Sequence, residues 1–162
     1  MAGRQSNSPA YVIFDKSLAT ISVSNIKTGN GTHPLEIVET GDKANMADRD
    51  LSTSYKNYYH VTGGGTGTSQ LTSYVQFDFN QPIWNCLIFS KYKMDWTTST
   101  GSVSMEYSSN GTDWTSLDTT QSGTAVTHNY QVLTMRYLRF WVTNDSSSTT
   151  IEVWELKVSG SV

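Results

Sequence analysis

The sequence predicts an all-β protein built as an antiparallel β-sandwich of the jelly-roll type, and three features of the chain lead to that prediction. Ser and Thr contribute 22 residues each to a chain of 162, and with 12 Gly they make a composition rich in turn and strand formers. Apolar and polar residues alternate with a period of two in many short segments, as they do in half-buried strands. No helical period is long enough to supply a crossover, so the strands are expected to pair antiparallel.

The alternating segments define the strands in chain order, and turn-forming clusters separate them. The clusters lie at residues 28–32, 63–69, 110–113 and 144–148. The predicted strands are Tyr11–Phe14, Ala19–Ser24, Leu35–Glu39, Ser73–Phe79, Trp84–Tyr92, Ser102–Tyr107, Trp114–Leu117, Thr124–Thr127, Gln131–Val142 and Thr150–Val158.

Alternation also predicts which side chains form the core. Val75, Phe77 and Phe79 lie on one side of their strand and are expected to face inward. The run Tyr137–Val142 is apolar on both sides except at Arg139, which predicts a central strand whose arginine is paired or caps one edge of the core. The tryptophans of the strands and of one hairpin base are expected in the core or on a sheet face: Trp84, Trp114, Trp141 and Trp154.

The charge balance disfavours some partners. The chain has 11 Lys and Arg against 14 Asp and Glu, a net charge of −3, and no basic cluster, which disfavours nucleic-acid binding. No apolar run reaches the roughly 18 residues of a membrane span, and the first ten residues lack the apolar segment of a secretory signal. We therefore expect no membrane insertion, and an extracellular or virion-surface location reached by lysis or as part of a larger assembly.

Length and composition predict one domain without disulfides. Residues 1–15 are expected to form an extended or disordered arm, and residues 16–162 a single β-sandwich. Cys86 is the one cysteine, and its apolar neighbours predict that it is buried. Catalysis is not expected, because no motif supports it: Cys86 has apolar neighbours and the three histidines lack zinc-ligand spacing. A glycosidase carboxylate pair is left open, because Glu106, Glu152 and Asp95 could meet in space.

The segment Asn45–Tyr55, with the sequence NMADRDLSTSY, concentrates oxygen ligands. Its two carboxylates and a threonine hydroxyl at short spacing suit Ca²⁺. On spacing alone, a solvated acidic turn in which Asp48 or Asp50 makes an Asx turn is favoured. The segment is not an EF-hand, because the glycine and glutamate of that loop are missing.

Five motifs, in the same order, make residues 42–162 resemble the discoidin domain, also known as the coagulation-factor type C domain, and the family 32 carbohydrate-binding modules. This family has the galactose-binding-like jelly-roll fold. The early loop motif is represented by Asn45, Asp48, Asp50, Thr53 and Tyr55. The four later motifs are matched by Tyr74–Gln81, Ser108–Trp114, Arg136–Arg139 and Glu155–Gly160.

The resemblance implies a structural Ca²⁺ that joins the early loop to the last strand. Such an ion would stabilise a domain without disulfides, because it binds only the folded state. Two departures are Arg49 in place of the usual glycine and Tyr55 in place of the usual tryptophan. The implied ligands are Asn45, Asp48, Asp50, Thr53, Trp154 and Glu155.

Two segments combine aromatic and polar residues in the way that sugar sites do, and both are predicted to be loops. They are Tyr55–His60 and Lys93–Thr98. An aromatic ring can stack on the apolar face of a sugar while planar polar groups bind its hydroxyls. The candidate glycan-binding residues are Tyr58, Tyr59, His60, Asp95 and Trp96.

Two classes of function follow. The first is a non-catalytic module that recognises cell-surface or polysaccharide glycans through loops at one end of a calcium-stabilised sandwich. The second is a virion structural protein, a capsid-decoration or tail component of a phage or archaeal virus, that uses the jelly roll for self-association or for contact with capsid or tail proteins. Exposed aromatic residues would favour the first, and flat apolar patches the second.

Overall fold

The computed structural model describes residues 11–14, 19–32, 34–61, 69–96, 101–145 and 148–162. These residues are almost entirely β-strand, with one short 3-10 helix, η1, at Lys43–Ala47. The strands are β1 Tyr11–Phe14, β2 Thr20–Gly29, β3 Leu35–Thr40, β4 Tyr55–Val61, β5 Ser69–Trp96, β6 Gly101–Ser108, β7 Thr115–Asp118, β8 Val126–Asp145 and β9 Ser148–Ser161.

The strands form two sheets that share β5 and β8. The first sheet has the order β2, first half of β5, second half of β8, β6, β7. The second has the order β3, β4, β9, second half of β5, first half of β8, and β1 pairs with the far end of β9. Every pairing is antiparallel, which confirms the predicted antiparallel all-β class.

The core lies between the two sheets. Tyr92 of the second sheet packs against Phe140 of the first, with ring centroids 5.0 Å apart. Val75, Phe77 and Phe79 are buried, as the alternation predicts. Burial of these apolar side chains is the main force that holds the two sheets together.

Two other predictions about side chains are also confirmed. Cys86 is fully buried, and burial raises the pKa of its thiol to about 11. Arg139 lies on the central strand β8 and pairs with Glu106, at 2.6 Å from Nη2 to Oε2.

A polar network also connects the sheets. Asn25 of β2 and Asn57 of β4 exchange two amide hydrogen bonds of 3.2 and 2.8 Å. The Ser73 hydroxyl donates to Asn25 Oδ1 at 2.7 Å and lies 2.6 Å from the Thr149 hydroxyl. Asn57, Ser73 and Thr149 are fully buried, so these bonds replace those that the groups would make with water.

The sequence predicts two strands where β5 runs continuously. The register against β8 shifts between Asp78 and Ile83, and Asn80 has a φ of 63°. Pro82, which lacks a backbone N–H, lies in this irregular stretch. The chain therefore bends from one sheet into the other without ending the strand. β8 likewise joins two predicted strands.

Trp84, which the sequence places in the core or on a sheet face, lies on the outer face of the sheet, where it is 46% exposed. Ile83 and Cys86 both point inward with two residues between them, and the pairing of β5 with β9 is irregular between Trp84 and Leu87. This bulge places Trp84 on the outer face. No helix among the described residues is long and apolar enough to cross a membrane.

Candidate functional site

The first candidate site is the segment that joins β3 to β4 and contains η1. Gly41 begins it with a φ of 84°, and a Cβ at this position would collide with the carbonyl oxygen of Ser54. Asp42 caps η1 by accepting a hydrogen bond from the Ala44 N–H at 2.8 Å. Met46 is fully buried in the core and anchors the helix. These contacts fix the start of the acidic turn that follows.

The acidic turn is organised by its own carboxylates. Asp48 Oδ1 accepts the Asp50 N–H at 2.8 Å, and Asp48 Oδ2 accepts the Thr53 hydroxyl at 2.8 Å. Asp50 Oδ1 accepts both the N–H and the hydroxyl of Ser52, and these bonds lower its pKa. Asp48 and Asp50 therefore each make an Asx turn, the alternative that spacing alone favours.

Arg49 occupies the position where the resembling family has glycine, and its φ is 67°. This left-handed conformation is costly for a residue with a Cβ. This position therefore does adopt a positive φ angle, so arginine in place of glycine strains the turn.

Glu155 of β9 lies beside this turn and is fully buried. Neither of its carboxylate oxygens has a hydrogen-bond partner of normal geometry among the described residues. Burial raises the pKa of Glu155, and the charge of Asp48 raises it further, while Lys157 and the backbone N–H of Arg49 act in the opposite direction. A buried carboxylate without a partner is costly unless it is protonated or meets a cation.

The donor set near Glu155 fits a hard cation such as Ca²⁺ in part. Asp48, Asp50 and Thr53 supply oxygens in the adjacent turn, and their contacts with each other show how closely they lie. No group of three His, Cys, Asp or Glu side chains in the described parts of the chain is close enough to hold a metal alone. An ion here would therefore also need backbone carbonyls and the threonine hydroxyl, which Ca²⁺ accepts.

Two other residues of the implied calcium set have different surroundings. The Asn45 side chain donates from Nδ2 to the carbonyl of Ser54 at 3.1 Å, and so closes the loop. Trp154 directly precedes Glu155, and its ring lies under the ammonium of Lys91, 5.5 Å from the centroid. Lys91 Nζ also donates to the Leu51 carbonyl at 2.9 Å, so it ties the turn to β5.

The second candidate site lies at the ends of β4, β9 and β5 in the second sheet. The predicted loops Tyr55–His60 and Lys93–Thr98 are wrong, because β4 spans Tyr55–Val61 and β5 continues to Trp96. Residues 97–100 lie outside the described residues. β9 pairs with both strands, so that Tyr58, Thr150 and Asp95 are aligned side by side.

The five candidate glycan residues divide between the two faces of the sheet. Tyr58, His60 and Asp95 point outward, and we call these three residues the strand-end cluster. Tyr59 is buried, and burial raises the pKa of its hydroxyl. Trp96 packs against the core and lies directly over Gly101, where a Cβ would come within 2.6 Å of the ring. Tyr59 and Trp96 therefore support the site from within.

The strand-end cluster is held in place by local contacts. The rings of Tyr58 and His60 stack at 4.5 Å between centroids and 17° between planes. His60 Nε2 lies 3.1 Å from Glu36 Oε2 on β3. Asp95 Oδ1 accepts hydrogen bonds from Gln121 Nε2 at 2.6 Å and from the Trp96 N–H at 2.8 Å. The cluster thus presents an aromatic surface beside an imidazole and an oriented carboxylate.

Sequence reasoning missed a cluster at the opposite edge of the second sheet. Asp118 Oδ2 accepts hydrogen bonds from the hydroxyls of Tyr92 and Tyr130, the second at 3.0 Å, and lies 3.3 Å from His128 Nε2. Burial raises the pKa of Asp118, but its hydrogen bonds outweigh burial and lower it to about 2. The HxY spacing of β8 puts both rings on one side of the strand, but nothing in the sequence indicates that Asp118 meets them.

Comparisons with known proteins give structural likenesses only. No protein family and no curated protein matches the sequence. The C-terminal domain of a chitobiase from Bacteroides fragilis is 18% identical, with 93% of this chain and 99% of that chain covered and a TM-score of 0.47. A putative chitobiase fragment from Bacteroides thetaiotaomicron is 13% identical, with 97% and 96% covered and a TM-score of 0.49.

A third similar structure is a CBM32 module from a family 31 glycoside hydrolase of Clostridium perfringens. It is 14% identical, with 91% of this chain and 94% of that chain covered and a TM-score of 0.43.

Proposed function

We propose that this chain is a non-catalytic glycan-binding module and that the strand-end cluster is its sugar contact. The observation that carries the proposal is the stacked Tyr58–His60 pair on the outer face, aligned across β9 with the Asp95 carboxylate. A sugar presents an apolar ring face, which an aromatic side chain covers, and hydroxyls, which imidazole and carboxylate groups bind. Strands hold these groups more rigidly than loops would, which lowers the entropic cost of binding.

Substitution of Tyr58 tests the sugar contact. A glycan array identifies a bound sugar, and calorimetry then compares the native chain with Tyr58→Ala and with Tyr74→Ala. Tyr74 is a matched control, because it points outward from the first sheet. We expect Tyr58→Ala to weaken binding by about tenfold or more, and Tyr74→Ala to leave it unchanged. Equal affinity in the two variants, or no sugar bound by the native chain, would contradict the proposal.

We extend the proposal to a structural Ca²⁺ beside Glu155. The buried, unpartnered carboxylate and the adjacent turn are the features that support it. Asp48, Asp50, Thr53 and Glu155 would hold the ion, together with Asn45, Trp154 or neighbouring backbone carbonyls. When bound, the ion would supply positive charge to a carboxylate that has no hydrogen-bond partner and would join the turn to β9.

Thermal melting in calcium and in EGTA tests this extension. Calcium at one hundred times its Kd should stabilise the native chain by about 2.7 kcal/mol. Glu155→Gln should abolish the difference between the two buffers, whereas Glu152→Gln, three residues away on the same strand, should retain it. Identical melting of the native chain in both buffers would exclude the calcium site.

A second candidate function is assembly with further copies of this chain or with capsid or tail proteins. It is favoured by exposed apolar side chains on the outer face around the bend of β5, where Leu133 is 81% exposed and Leu87 47%. Light scattering on the native chain and on Leu133→Gln tests it. A closed oligomer that the substitution dissociates is the expected result for an assembly protein, and a monomer would contradict self-assembly.

A further inference from the structure

The outer face of the second sheet carries lysines paired with aromatic rings. In each pair an ammonium nitrogen lies within 6 Å of a ring centroid, the range of a cation–π contact. The pairs are Lys56 and Tyr58 at 5.7 Å, Lys91 and Trp154 at 5.5 Å, and Lys157 and Phe89 at 5.4 Å.

Strand register places these residues on one side of the sheet. Phe89 of β5 is aligned with Lys157 of β9, and Lys93 of β5 is aligned with Glu152 of β9. Their immediate neighbours Tyr92 and Val158 are buried in the core. Because side chains alternate along a strand, the lysines and their rings face outward together.

This face concentrates lysines, although the chain as a whole has a net charge of −3. It holds four of the seven lysines in the sequence: Lys56, Lys91, Lys93 and Lys157. Within the described residues, no carboxylate lies at salt-bridge distance from any of these four. Three carboxylates share the face. Glu152 and Asp95 lie towards the strand-end cluster, and each accepts a hydrogen bond from a neighbour. Glu155 is aligned with Lys91 and is buried beside the acidic turn. Several ammonium groups are therefore available to an anionic partner.

A groove of about 400 Å³ adjoins Lys157. Leu87 and Phe89 give it apolar walls, while Asn129, Lys157 and Ser159 supply polar groups at its edge. The volume falls within the range of small-ligand sites, roughly 300–1,000 Å³. A mainly apolar floor with a few polar groups suits one face of a sugar ring.

We propose that Phe89, Lys91, Lys93, Trp154 and Lys157, which we call the lysine–aromatic platform, bind an anionic polysaccharide. The rings would stack on sugar faces, and the ammonium groups would pair with carboxylate or sulfate groups along the chain. The inference rests on the proposed function only in taking a polysaccharide as the ligand, since none of these five residues belongs to the strand-end cluster.

A second copy of this chain fits the platform less well. Two copies related by a two-fold axis would bring the same surface patch together, and so would set lysines opposite lysines. Repulsion between like charges at such a contact costs several kcal/mol. An extended polyanion meets no such penalty and can contact several lysines at once.

Affinity electrophoresis of the full chain tests the platform. The gels contain polygalacturonate, dextran sulfate or neutral dextran, each at low and at high salt. The variants are Lys93→Gln/Lys157→Gln, the charge-neutral Phe89→Ala, and Lys27→Gln/Lys43→Gln, which makes the same charge change away from the platform. Thermal melting shows that each variant is folded.

We expect retardation by one or both acidic polymers, weakened at high salt, and none by dextran. The two acidic polymers distinguish carboxylate from sulfate as the group recognised. The platform double variant should lose about tenfold or more in affinity, Phe89→Ala should also bind more weakly, and the control pair should change less than about twofold.

Three results would overturn the inference. The control pair could lose as much affinity as the platform pair, which would indicate non-specific charge attraction. The acidic polymers could fail to bind while Tyr58-dependent sugar binding persists, which would leave the proposed function intact. Light scattering could show a dimer that Leu133→Gln dissociates and that binds no acidic polymer. A second copy of the chain would then be the partner of this face. If Tyr58→Ala still binds the acidic polymers and the native chain binds no other sugar, the result would instead support the platform and contradict the strand-end cluster as a sugar contact.

Discussion

Arg49 shows how much one backbone angle can cost. Its φ of 67° places a residue with a long side chain in the left-handed region, at roughly 1–2 kcal/mol. We expect Arg49→Gly to stabilise the fold by roughly 0.5–1 kcal/mol. Glycine removes the backbone strain, and the greater conformational entropy that it gives the unfolded chain offsets only part of that gain. Arg49→Ala removes the same charge but keeps the strain, so it should not gain stability. Thermal melting of the two variants measures the difference, and equal melting temperatures would show that the turn is not strained.

Asp118 should make the stability of the fold depend on pH in the acidic range. Its pKa is about 2 in the folded chain against 3.8 for the free group, so the folded state favours the carboxylate. Its contribution, about 2 kcal/mol, is therefore complete well above pH 4 and is lost as the pH falls towards 2. Urea unfolding between pH 2 and pH 5 should show a shallower loss of stability in Asp118→Asn than in the native chain. Asp113→Asn, in an exposed turn, should show the same dependence of stability on pH as the native chain. The same dependence in Asp118→Asn would contradict a lowered pKa for Asp118.

At the scale of elements, Asn25 and Asn57 connect β2 to β4 across the sandwich. Removal of the Asn57 amide leaves the half-buried Asn25 with only its bond from the Ser73 hydroxyl, so Asn57→Ala should cost about 1–3 kcal/mol. Urea unfolding should also show that Asn25→Ala/Asn57→Ala costs less than the sum of the single changes, since both partners are then gone. Asn129→Ala, on the outer face, serves as the control. Additive losses would show that the two amides act independently.

The same asparagine explains why β4 was not predictable from the sequence. Tyr55, Asn57 and Tyr59 point inward, and a polar residue in the middle of that series hides the period of two. The period identified β6, because its buried Val103 and Met105 alternate with polar residues. Burial of Asn57 depends on Asn25, which is 32 residues away, and no local pattern contains that information.

The sequence indicates which parts of the chain could form sites, but it indicates only part of how their residues come together. The acidic turn and Glu155 come together, as the resemblance implies, because η1 packs beside β9. The glycan candidates separate into two faces, since a strand turns successive side chains to opposite sides whereas the predicted loop imposed no such rule. The lysine–aromatic platform draws its residues from β5 and β9, and only the strand register brings them together.

For the whole molecule, the decisive feature is that β5 and β8 each pass through both sheets. In many sandwiches the two sheets are joined only by loops and by the core between them. Here two continuous strands run from one sheet into the other, so the sheets cannot separate unless both strands lose their bend. Opening of the core and loss of the sheet hydrogen bonds must then occur in the same event, and amide exchange in the two layers should report one shared opening free energy.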